Sequence, residues 1–361
     1  MKAFISILLI SLGITAQSQQ FVLETALDAA VSETSGIIIL NNTLITHNDS
    51  GNTNQLFEID TSTGNISRTV TITNATNVDW EDITMDDTYI YIGDFGNNYG
   101  TRTDLKIYRI AITDYLASTS VTADIINFSY SNQNSFFPNP FNTNFDAESL
   151  IHYNSALYVF SKNWDDNNTN IYQISKSPGT YSINMVDTIN AQGLVTGATY
   201  NASANEIMLS GYDTDGAFLI QLDGFHSGLF SNGNISKTTI DSPSNYSPQI
   251  EAIVPFSATE YYITAESSNT LSQGLYSINI STLNNNEVDA IEFSFSPNPA
   301  SKTIILSHYN LKVRIFDITG KLVKTTTEKR IDISKFNSGV YLVKIEDLNS
   351  DRVSTKRLMV L

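Results

Sequence analysis

The chain has 361 residues, with 20 Lys and Arg against 37 Asp and Glu and a formal net charge of −17. It contains no cysteine, which excludes disulfide scaffolds, thiolate metal sites and cysteine nucleophiles. Residues 21–290 hold 7 basic and 30 acidic residues, whereas residues 291–361 hold 12 basic and 7 acidic residues. Such an acidic segment repels nucleic acid and anionic lipid, so neither is predicted as a partner, and cations are favoured.

The chain opens with a short apolar segment. Lys2 precedes an apolar run from Ala3 to Ile14, and a small, polar stretch from Thr15 to Ser18 follows. This is the three-part layout of a secretory signal peptide, and the run is too short to span a bilayer. We therefore predict a signal peptide over residues 1–20. Later segments lack the roughly 18 uninterrupted apolar residues of a transmembrane helix, so no transmembrane segment is predicted.

Five repeated units follow the leader. Each begins with a polar residue, a small or polar residue and an apolar strand, continues with a second strand that ends in polar residues, and adds a third strand. The equivalent opening positions are Ser35, Glu81, Glu148, Thr196 and Glu251, at intervals of 46, 67, 48 and 55 residues. These intervals are close to the period of a four-stranded propeller blade.

The repeat predicts an all-β fold, because period-two alternation dominates and helical periodicity is nearly absent. A spare strand at residues 21–27 precedes unit one, and unit five lacks a fourth strand. This strand can complete unit five and close the ring, which removes exposed sheet edges. We predict a five-bladed β-propeller over residues 21–285. The long second interval leaves a six-bladed ring as the rival.

The opening positions predict a metal site. In a propeller the first strand of each blade lines the central channel, so Ser35, Glu81, Glu148, Thr196 and Glu251 form a ring around the axis. Three crowded carboxylates repel one another, and a bound cation relieves that repulsion. Oxygen ligands in irregular five-fold geometry suit Ca²⁺ better than octahedral Mg²⁺. The alternative is that these acids are solvated at a channel mouth or bonded to backbone N–H groups.

Polar residues at the ends of the second strands are predicted to contact a ligand. In an antiparallel pair these ends lie beside the starts of the first strands, at the same mouth of the channel. The residues are Asn48, Asp49, Asp94, Asn97, Lys162, Trp164, Asp213, Glu266 and Ser267. We predict Lys162 as the leading anion contact and Asp94 or Glu266 as the leading carboxylate near the ion. Turn chemistry is the alternative explanation, and core packing is the alternative for Trp164.

The ring and the strand ends together resemble a known family. The order Ser35-Gly36, Glu81-Asp82, Glu148-Ser149, Thr196-Gly197 and Glu251-Ala252 resembles the SdiA-regulated family of secreted or periplasmic five-bladed propellers over residues 30–280. That resemblance implies a central calcium but no settled activity. The ring is also similar to that of calcium-activated nucleotidases of the apyrase type. Residues available nearby in sequence to meet phosphates are Arg102, Lys106, Arg109, Lys162 and Lys176.

The last part of the chain has a different character. After a predicted linker at residues 286–292, alternating apolar residues with Gly320 and Gly339 at turns predict a small β-sandwich over residues 293–361. Four blocks, at 295–300, 312–324, 331–345 and 356–361, resemble the type A C-terminal sorting domain of the type IX secretion system. The resemblance implies export across the outer membrane of a Gram-negative bacterium by the type IX machinery. The protein is then released or attached to the surface.

Two functions follow from these predictions. The first is a secreted or surface-attached, calcium-binding propeller whose open face binds a small ligand, a glycan or a surface partner. The second is a calcium-dependent phosphohydrolase or esterase, in which the metal polarises an oxygen and a carboxylate activates water. The scarcity of convergent Lys and Arg favours the first. No nucleophile-elbow, Walker or dinucleotide-binding motif is present, and a monomer is expected.

Overall fold

The computed structural model describes residues 22–240, 250–266, 273–280, 294–307, 311–318, 321–347 and 353–361. The chain divides into two compact units, Met1–Ser281 and Thr282–Leu361. The predicted signal peptide, the predicted linker and Ser267 lie outside the described residues. No helix within the described ranges combines the length and apolar character needed to cross a membrane.

The described part of the first unit contains five sheets, whose strands run in order from the first strand of each sheet outward. Sheet 1 contains β2 (Thr34–Leu40), β3 (Thr43–Asn48), β4 (Gln55–Ile59), β5 (Ile66–Ile72) and β9 (Ser120–Val121). Sheet 2 contains β6 (Trp80–Met85), β7 (Tyr89–Asp94), β8 (Lys106–Ala111), β10 (Asp124–Tyr130) and β14 (Gly179–Ile183). Sheet 3 contains β11 (Ala147–Tyr153), β12 (Ala156–Ser161), β13 (Thr169–Ile174) and β15 (Met185–Ile189).

Sheet 4 contains β16 (Leu194–Asn201), β17 (Glu206–Asp213), β18 (Gly216–Asp223) and β19 (Asn234–Thr239). Sheet 5 contains β20 (Ile250–Pro255), β21 (Glu260–Ala265), β22 (Gly274–Asn279) and, from the start of the chain, β1 (Val22–Ala26). The helical elements described are α1 (Ile112–Ala117) and two 3₁₀ turns at Ala29–Val31 and Phe230–Asn232. The strand content confirms the predicted all-β fold class.

The five sheets follow one another around a ring. The first strand of each sheet contacts the first strand of the next, and β20 of sheet 5 contacts β2 of sheet 1. Strand β1 pairs antiparallel with β22, as the sequence predicted for the spare strand. Buried apolar clusters fill the spaces between neighbouring sheets, with Trp80 between sheets 1 and 2 and Phe230 between sheets 3 and 4. This arrangement is a β-propeller.

Neighbouring sheets are also joined at their outer edges. Strand β9 follows β8 of sheet 2 in the chain but pairs in parallel with β5 of sheet 1. In the same way, β14 follows β13 of sheet 3 and pairs in parallel with β10 of sheet 2. Each exchange covers an edge strand that would otherwise present unpaired backbone groups. Of these two short strands, β9 lies in the long second interval of the repeat, between Glu81 and Glu148, together with the helix α1 (Ile112–Ala117).

Local turn chemistry sets the register of the inner hairpins. Asn41 and Asn42, between β2 and β3, have φ angles of 50° and 64°. Asn154 and Ser155, between β11 and β12, have φ angles of 44° and 66°. Two consecutive residues with positive φ are typical of the type I′ turn, which matches the twist of a two-residue hairpin. The resulting pairs place the end of each second strand beside the start of its first strand.

The second unit is a small β-sandwich, as predicted. One sheet contains β23 (Phe295–Ser296), β24 (Thr303–Leu306) and β27 (Arg330–Asp332). The other contains β26 (Leu322–Thr326), β25 (Leu311–Asp317), β28 (Gly339–Asp347) and β29 (Val353–Val360). Ile304 and Ile331 of the first sheet pack with Val313, Val343 and Leu358 of the second in a separate apolar core.

Candidate functional site

Each first strand is interrupted at its predicted ring position. The pairing register between first and second strands shifts at Glu81, Glu148, Thr196 and Glu251, and across Ser35 and the glycine after it. A β-bulge of this kind inserts an extra residue and changes the direction of its side chain. The five positions are therefore equivalent in the structure, and all five side chains are buried.

The two hydroxyl members of the ring hold neighbouring sheets together. Ser35 Oγ donates a hydrogen bond to the backbone carbonyl of Glu81, and Thr196 Oγ1 donates one to the carbonyl of Ile250. A glycine follows each hydroxyl residue, and a Cβ on Gly36 would lie 2.4 Å from a backbone nitrogen of β6. Both positions thus allow the backbones of adjacent sheets to approach closely.

The three ring glutamates belong to a larger group, which we call the carboxylate cluster. Its members are Asp49, Asp79, Glu81, Asp146, Glu148, Glu251 and Glu266, of which four are buried and three half-buried. Burial is the largest cause of the raised pKa of each member. The charges of neighbouring carboxylates raise most of these pKa values further. The pKa of Asp49 reaches about 6 and that of Glu266 about 8.

One part of the carboxylate cluster is compact enough for a metal ion. Carboxylate oxygens of Asp49, Asp79 and Glu81 lie within 4.8 Å of one another. Asp49 follows β3, Asp79 precedes β6, and the bulge in β6 sets the direction of Glu81. A Cβ on Gly96 would lie only 1.9 Å from Glu81 Oε1 and 2.5 Å from Asp79 Oδ2. Glycine at position 96 therefore lets the carboxylates of Asp79 and Glu81 lie directly against its backbone.

The other part of the cluster surrounds an ammonium group. Lys162 Nζ donates to Glu148 Oε1 at 3.1 Å, and both side chains are more than nine-tenths buried. Burial lowers the pKa of Lys162, but the carboxylates of Glu148 and Glu251 outweigh it and hold that pKa well above its usual range. The ammonium also lies 4.9 Å from the centre of the Trp164 ring and 5.6 Å from that of Tyr212. Glu148 thus already has a cationic partner.

Asp146 organises the rim of the mouth. It accepts a hydrogen bond from the backbone N–H of Asn97 at 2.6 Å and another from Trp164 Nε1 at 2.7 Å. The Asn97 side chain in turn donates to the carbonyl of Phe145 at 3.1 Å. These bonds join the loops of sheets 2 and 3, so predicted contact residues Asn97 and Trp164 are brought to the cluster by a carboxylate that the sequence analysis did not single out.

The predicted residues Asp94 and Asp213 are ion-paired. Asp94 is buried and accepts from Arg102 Nη2 at 2.8 Å, with Lys106 Nζ at 3.8 Å. Burial raises the pKa of Asp94 although Arg102 opposes the shift. Asp213 pairs with Lys237 at 2.6 Å. Burial acts to raise the pKa of Asp213, but the bond to Lys237 outweighs it, so this pKa is lowered. Asp94 Oδ1 and Asp213 Oδ2 thus have cationic partners, whereas Asp94 Oδ2 is buried and accepts no hydrogen bond from a described residue.

The remaining predicted contact residues differ in how accessible they are to a ligand. Asn48 is buried, and its side-chain amide donates to the carbonyl of Ala30 at 2.8 Å. Glu266 is half-buried directly after β21, and burial together with the charges of Glu251 and Asp49 raises its pKa to about 8. The two tryptophans differ, since Trp80 is fully buried in the core and Trp164 is half-buried at the mouth.

Asp82 occupies the channel beside the ring. Its carboxylate accepts hydrogen bonds from the backbone N–H groups of Ile83 and Leu150, both at 2.8 Å, and also interacts with the N–H of Ala198. Burial raises the pKa of Asp82 well above its usual range. This side chain therefore links sheets 2, 3 and 4 across the axis, below the level of the cluster.

Sequence reasoning missed Asp79 and Asp146, although a signal for both was present. Each stands two residues before a ring glutamate, so the pattern Asp-x-Glu occurs in units two and three. Alternate residues of a strand share a face, which makes a second carboxylate on the channel side expected. Tyr212 of β17 had no comparable signal, because its contact with Lys162 depends on how sheets 3 and 4 pack against each other.

Comparison with known families identifies the second unit. Residues 294–361 match the family described as the secretion system C-terminal sorting domain. The match confirms the predicted type IX sorting domain, so the chain is a β-propeller that carries this export module. The protein is directed by the type IX system to the cell surface or the medium.

Comparison with individual proteins adds little to this description. No curated protein matches the chain. Similar solved structures include PorZ, a surface component of the type IX system of Porphyromonas gingivalis, at 14% identity and a TM-score of 0.37. That match covers 91% of this chain but only 45% of PorZ, so this chain spans less than half of its length.

Two other solved structures illustrate the range of similar proteins. One is the α-L-arabinofuranosidase PaAbf62A of Podospora anserina, with 10% identity, coverage of 73% of this chain and 96% of that one, and a TM-score of 0.40. The other is BamB of Moraxella catarrhalis, with 11% identity, coverage of 90% and 83%, and a TM-score of 0.26. Similarities of this size carry no information about activity.

Proposed function

We propose that this protein is an exported, calcium-binding β-propeller that binds a small ligand or glycan at the mouth lined by the carboxylate cluster. The observation that carries the proposal is the convergence of seven carboxylates on one mouth, where the Lys162 ammonium is bonded to Glu148. Buried carboxylates of like charge are costly unless they bind protons or cations. An ion that prefers oxygen ligands is the natural partner of such a group.

Asp49, Asp79 and Glu81 would hold the ion. Their oxygens are close enough to share one cation, and the absence of a side chain at Gly96 allows Asp79 and Glu81 to take these positions. Carboxylate ligands in irregular geometry suit Ca²⁺ better than Mg²⁺, which demands a near-octahedral site. The resemblance to the SdiA-regulated family also implies a central calcium, which agrees with this proposal. We therefore place the ion at these three carboxylates and not at the centre of the predicted five-residue ring, because the Lys162 ammonium already neutralises Glu148.

The ligand would contact the rim beside Lys162 and Trp164. Trp164 stands in a row of aromatic rings, 5.0 Å between centres from Phe141, which lies 6.2 Å from Tyr99. Phe141 is 56% exposed and Tyr99 53% exposed, which is unusual for large rings at a surface without a partner. Aromatic faces next to hydrogen-bonding carboxylates suit a sugar ring or another partly apolar ligand.

The pairing of the basic residues favours binding over phosphate hydrolysis. Each of the five basic residues available to meet a phosphate already contacts a carboxylate, namely Arg102, Lys106, Arg109, Lys162 and Lys176. A phosphate would have to displace one of these partners. The binding function is therefore the one that we put forward, and we expect the protein to act as a monomer.

Thermal unfolding of the mature chain tests the calcium site. Wild type should be stabilised by millimolar calcium relative to EDTA, by about 2.7 kcal/mol if calcium is present at 100 times its Kd. Asp79→Asn should lose most of this gain, whereas Asp124→Asn should keep it, because Asp124 is an exposed carboxylate paired with Arg109 outside the cluster. Absence of a calcium-dependent shift in wild type would refute the site.

A glycan array tests the ligand. Wild type should bind one class of glycan in calcium, and Trp164→Ala should lose that binding while keeping the calcium-dependent shift. Parallel assays of phosphate and ester hydrolysis in calcium and in EDTA separate the two functions. Calcium-dependent turnover that Glu81→Gln abolishes would replace the binding function with the hydrolase.

A further inference from the structure

An open cavity lies at the opposite mouth of the propeller channel from the carboxylate cluster. The first strands of the five sheets begin at the carboxylate cluster and end at this mouth, where all five contribute to the walls together with α1. The cavity has a volume of about 690 Å³, within the range of pockets that hold small molecules. Its lining contains no member of the carboxylate cluster, so this distal cavity is a different site.

The walls of the distal cavity are mainly apolar. Leu40 and Val254 are buried aliphatic residues at the ends of β2 and β20, and Met85 at the end of β6 is half-buried. Tyr153 and Tyr200 line the side formed by sheets 3 and 4, with their ring centres 5.0 Å apart and the rings edge to face. An apolar wall with aromatic rings suits the hydrocarbon part of a ligand.

One buried polar atom in the wall lacks a partner. His152 Nε2 is buried and forms no hydrogen bond with any described residue. Burial lowers the pKa of His152, with Lys176 acting in the same direction, so the imidazole is neutral at neutral pH. A neutral imidazole has one ring nitrogen that accepts a hydrogen bond. His152 therefore adds no positive charge to the cavity wall.

The charge around the distal cavity selects against anions. Its lining includes Asp86 and Asp87 but no Lys or Arg among the residues that the structure describes. Lys176, the nearby cation, lies 2.5 Å from Asp86 Oδ2 and is thus paired. Asp87 is exposed at the rim and forms no ion pair with a described residue. The unpaired charge at this mouth is therefore negative.

We propose that the distal cavity binds a small apolar amine. Its hydrocarbon part lies against the aliphatic and tyrosine walls, and its ammonium group meets the exposed carboxylate of Asp87 at the rim. The cavity shares no residue with the carboxylate cluster, so the proposal does not depend on calcium or on the ligand of the other mouth.

Three isosteric probes test the charge preference on the mature full-length chain. 4-Phenylbutylamine, 4-phenylbutanol and 4-phenylbutyrate share one skeleton and differ in their terminal group. Titration calorimetry and saturation-transfer NMR should show binding in the order amine, alcohol, carboxylate, with the amine about five-fold tighter than the alcohol, since one partly solvated ion pair supplies roughly that factor. The order should be the same in calcium and in EDTA.

Variants locate the binding to this mouth. Asp87→Asn should remove the amine's advantage over the alcohol, while the matched exposed variant Asp124→Asn should leave it unchanged. Ala202→Trp, at an exposed position of the lining, should block all three probes without disturbing the core. Equal binding of the carboxylate and the amine, or undiminished amine binding by Ala202→Trp, would overturn the proposal.

Discussion

Replacing Lys162 by methionine removes the ammonium that is bonded to the carboxylate cluster while nearly preserving the length of the side chain. In the native protein, Lys162 Nζ lies 3.1 Å from Glu148 Oε1, and the side chains are 8% and 5% exposed. The substitution leaves Glu148 without its cationic partner, next to Glu251 and Asp146. A buried carboxylate in that position must either be protonated or remain as an uncompensated charge.

The expected loss is large and depends on pH. Removing one partner of a buried ion pair costs about 3–5 kcal/mol of the free energy of unfolding. Burial already raises the pKa of Glu148, and the loss of Lys162 raises it further, so Glu148 takes up a proton readily at low pH. The destabilisation of Lys162→Met should therefore be close to the full value at pH 8 and clearly smaller at pH 5.

A matched control is provided by Lys237, which pairs with Asp213 at 2.6 Å. Those side chains are 23% and 17% exposed, so Lys237→Met should cost only about 0–1 kcal/mol. Urea unfolding in EDTA measures both losses, and tryptophan fluorescence reports the propeller because Trp80 and Trp164 both lie in the first unit. Adding Glu148→Gln to Lys162→Met should recover part of the stability.

Equal losses for the two lysine variants would refute this reasoning, because they would show that burial of the pair does not set its energy. A Lys162→Met loss that is the same at pH 5 and pH 8 would also refute it. In that case Glu148 would not be the group that takes up the proton.

Three further predictions use the same protein. In EDTA, the free energy of unfolding should fall as the pH rises from about 5 to about 8. The reason is that burial raises the folded-state pKa values of Asp79 and Glu251 to about 7, so the folded state holds more protons than the unfolded state. Urea titrations that show a rise in this free energy would contradict the prediction. Gly36→Ala should lower the free energy of unfolding by about 2 kcal/mol or more in the same assay, since the added Cβ would lie 2.4 Å from a backbone nitrogen. A decrease of less than about 0.5 kcal/mol would count against the close contact between the sheets. A chain ending at Ser281 should accumulate in the periplasm with its propeller folded, and its appearance in the medium at normal levels, measured by fractionation, would argue against the sorting role of residues 294–361.

The fold was predictable because its signals are local or periodic. The period-two pattern predicts strands, the repeat predicts a propeller, and the spare strand at residues 21–27 predicts the pairing of β1 with β22 that the structure contains. The four blocks of the last domain predict its export role, which the family match confirms. Strand exchange by β9 and β14 was not predictable, since it depends on contacts between different units.

The candidate site was only partly predictable. Sequence positions placed Glu81, Glu148 and Glu251 in equivalent places, but pairing partners are long-range and cannot be read from spacing. Thus the hydroxyl of Ser35 bonds to the backbone of the next sheet, and Asp94 and Asp213 are taken by Arg102 and Lys237. The assignment of the metal ligands stays a prediction, which the calcium-dependent unfolding of Asp79→Asn tests.

The sequence by itself determined the class of fold, the export module and the mouth at which carboxylates gather, because hydrophobic period, repeat spacing and alternation are properties of the chain alone. Only the tertiary structure decided which charges meet. It brought Asp49 of sheet 1 to Asp79 and Glu81 of sheet 2, and it buried Lys162 against Glu148. The physical reason is that electrostatic interactions depend on distance and burial, and both are set by the packing of sheets that lie far apart in the chain.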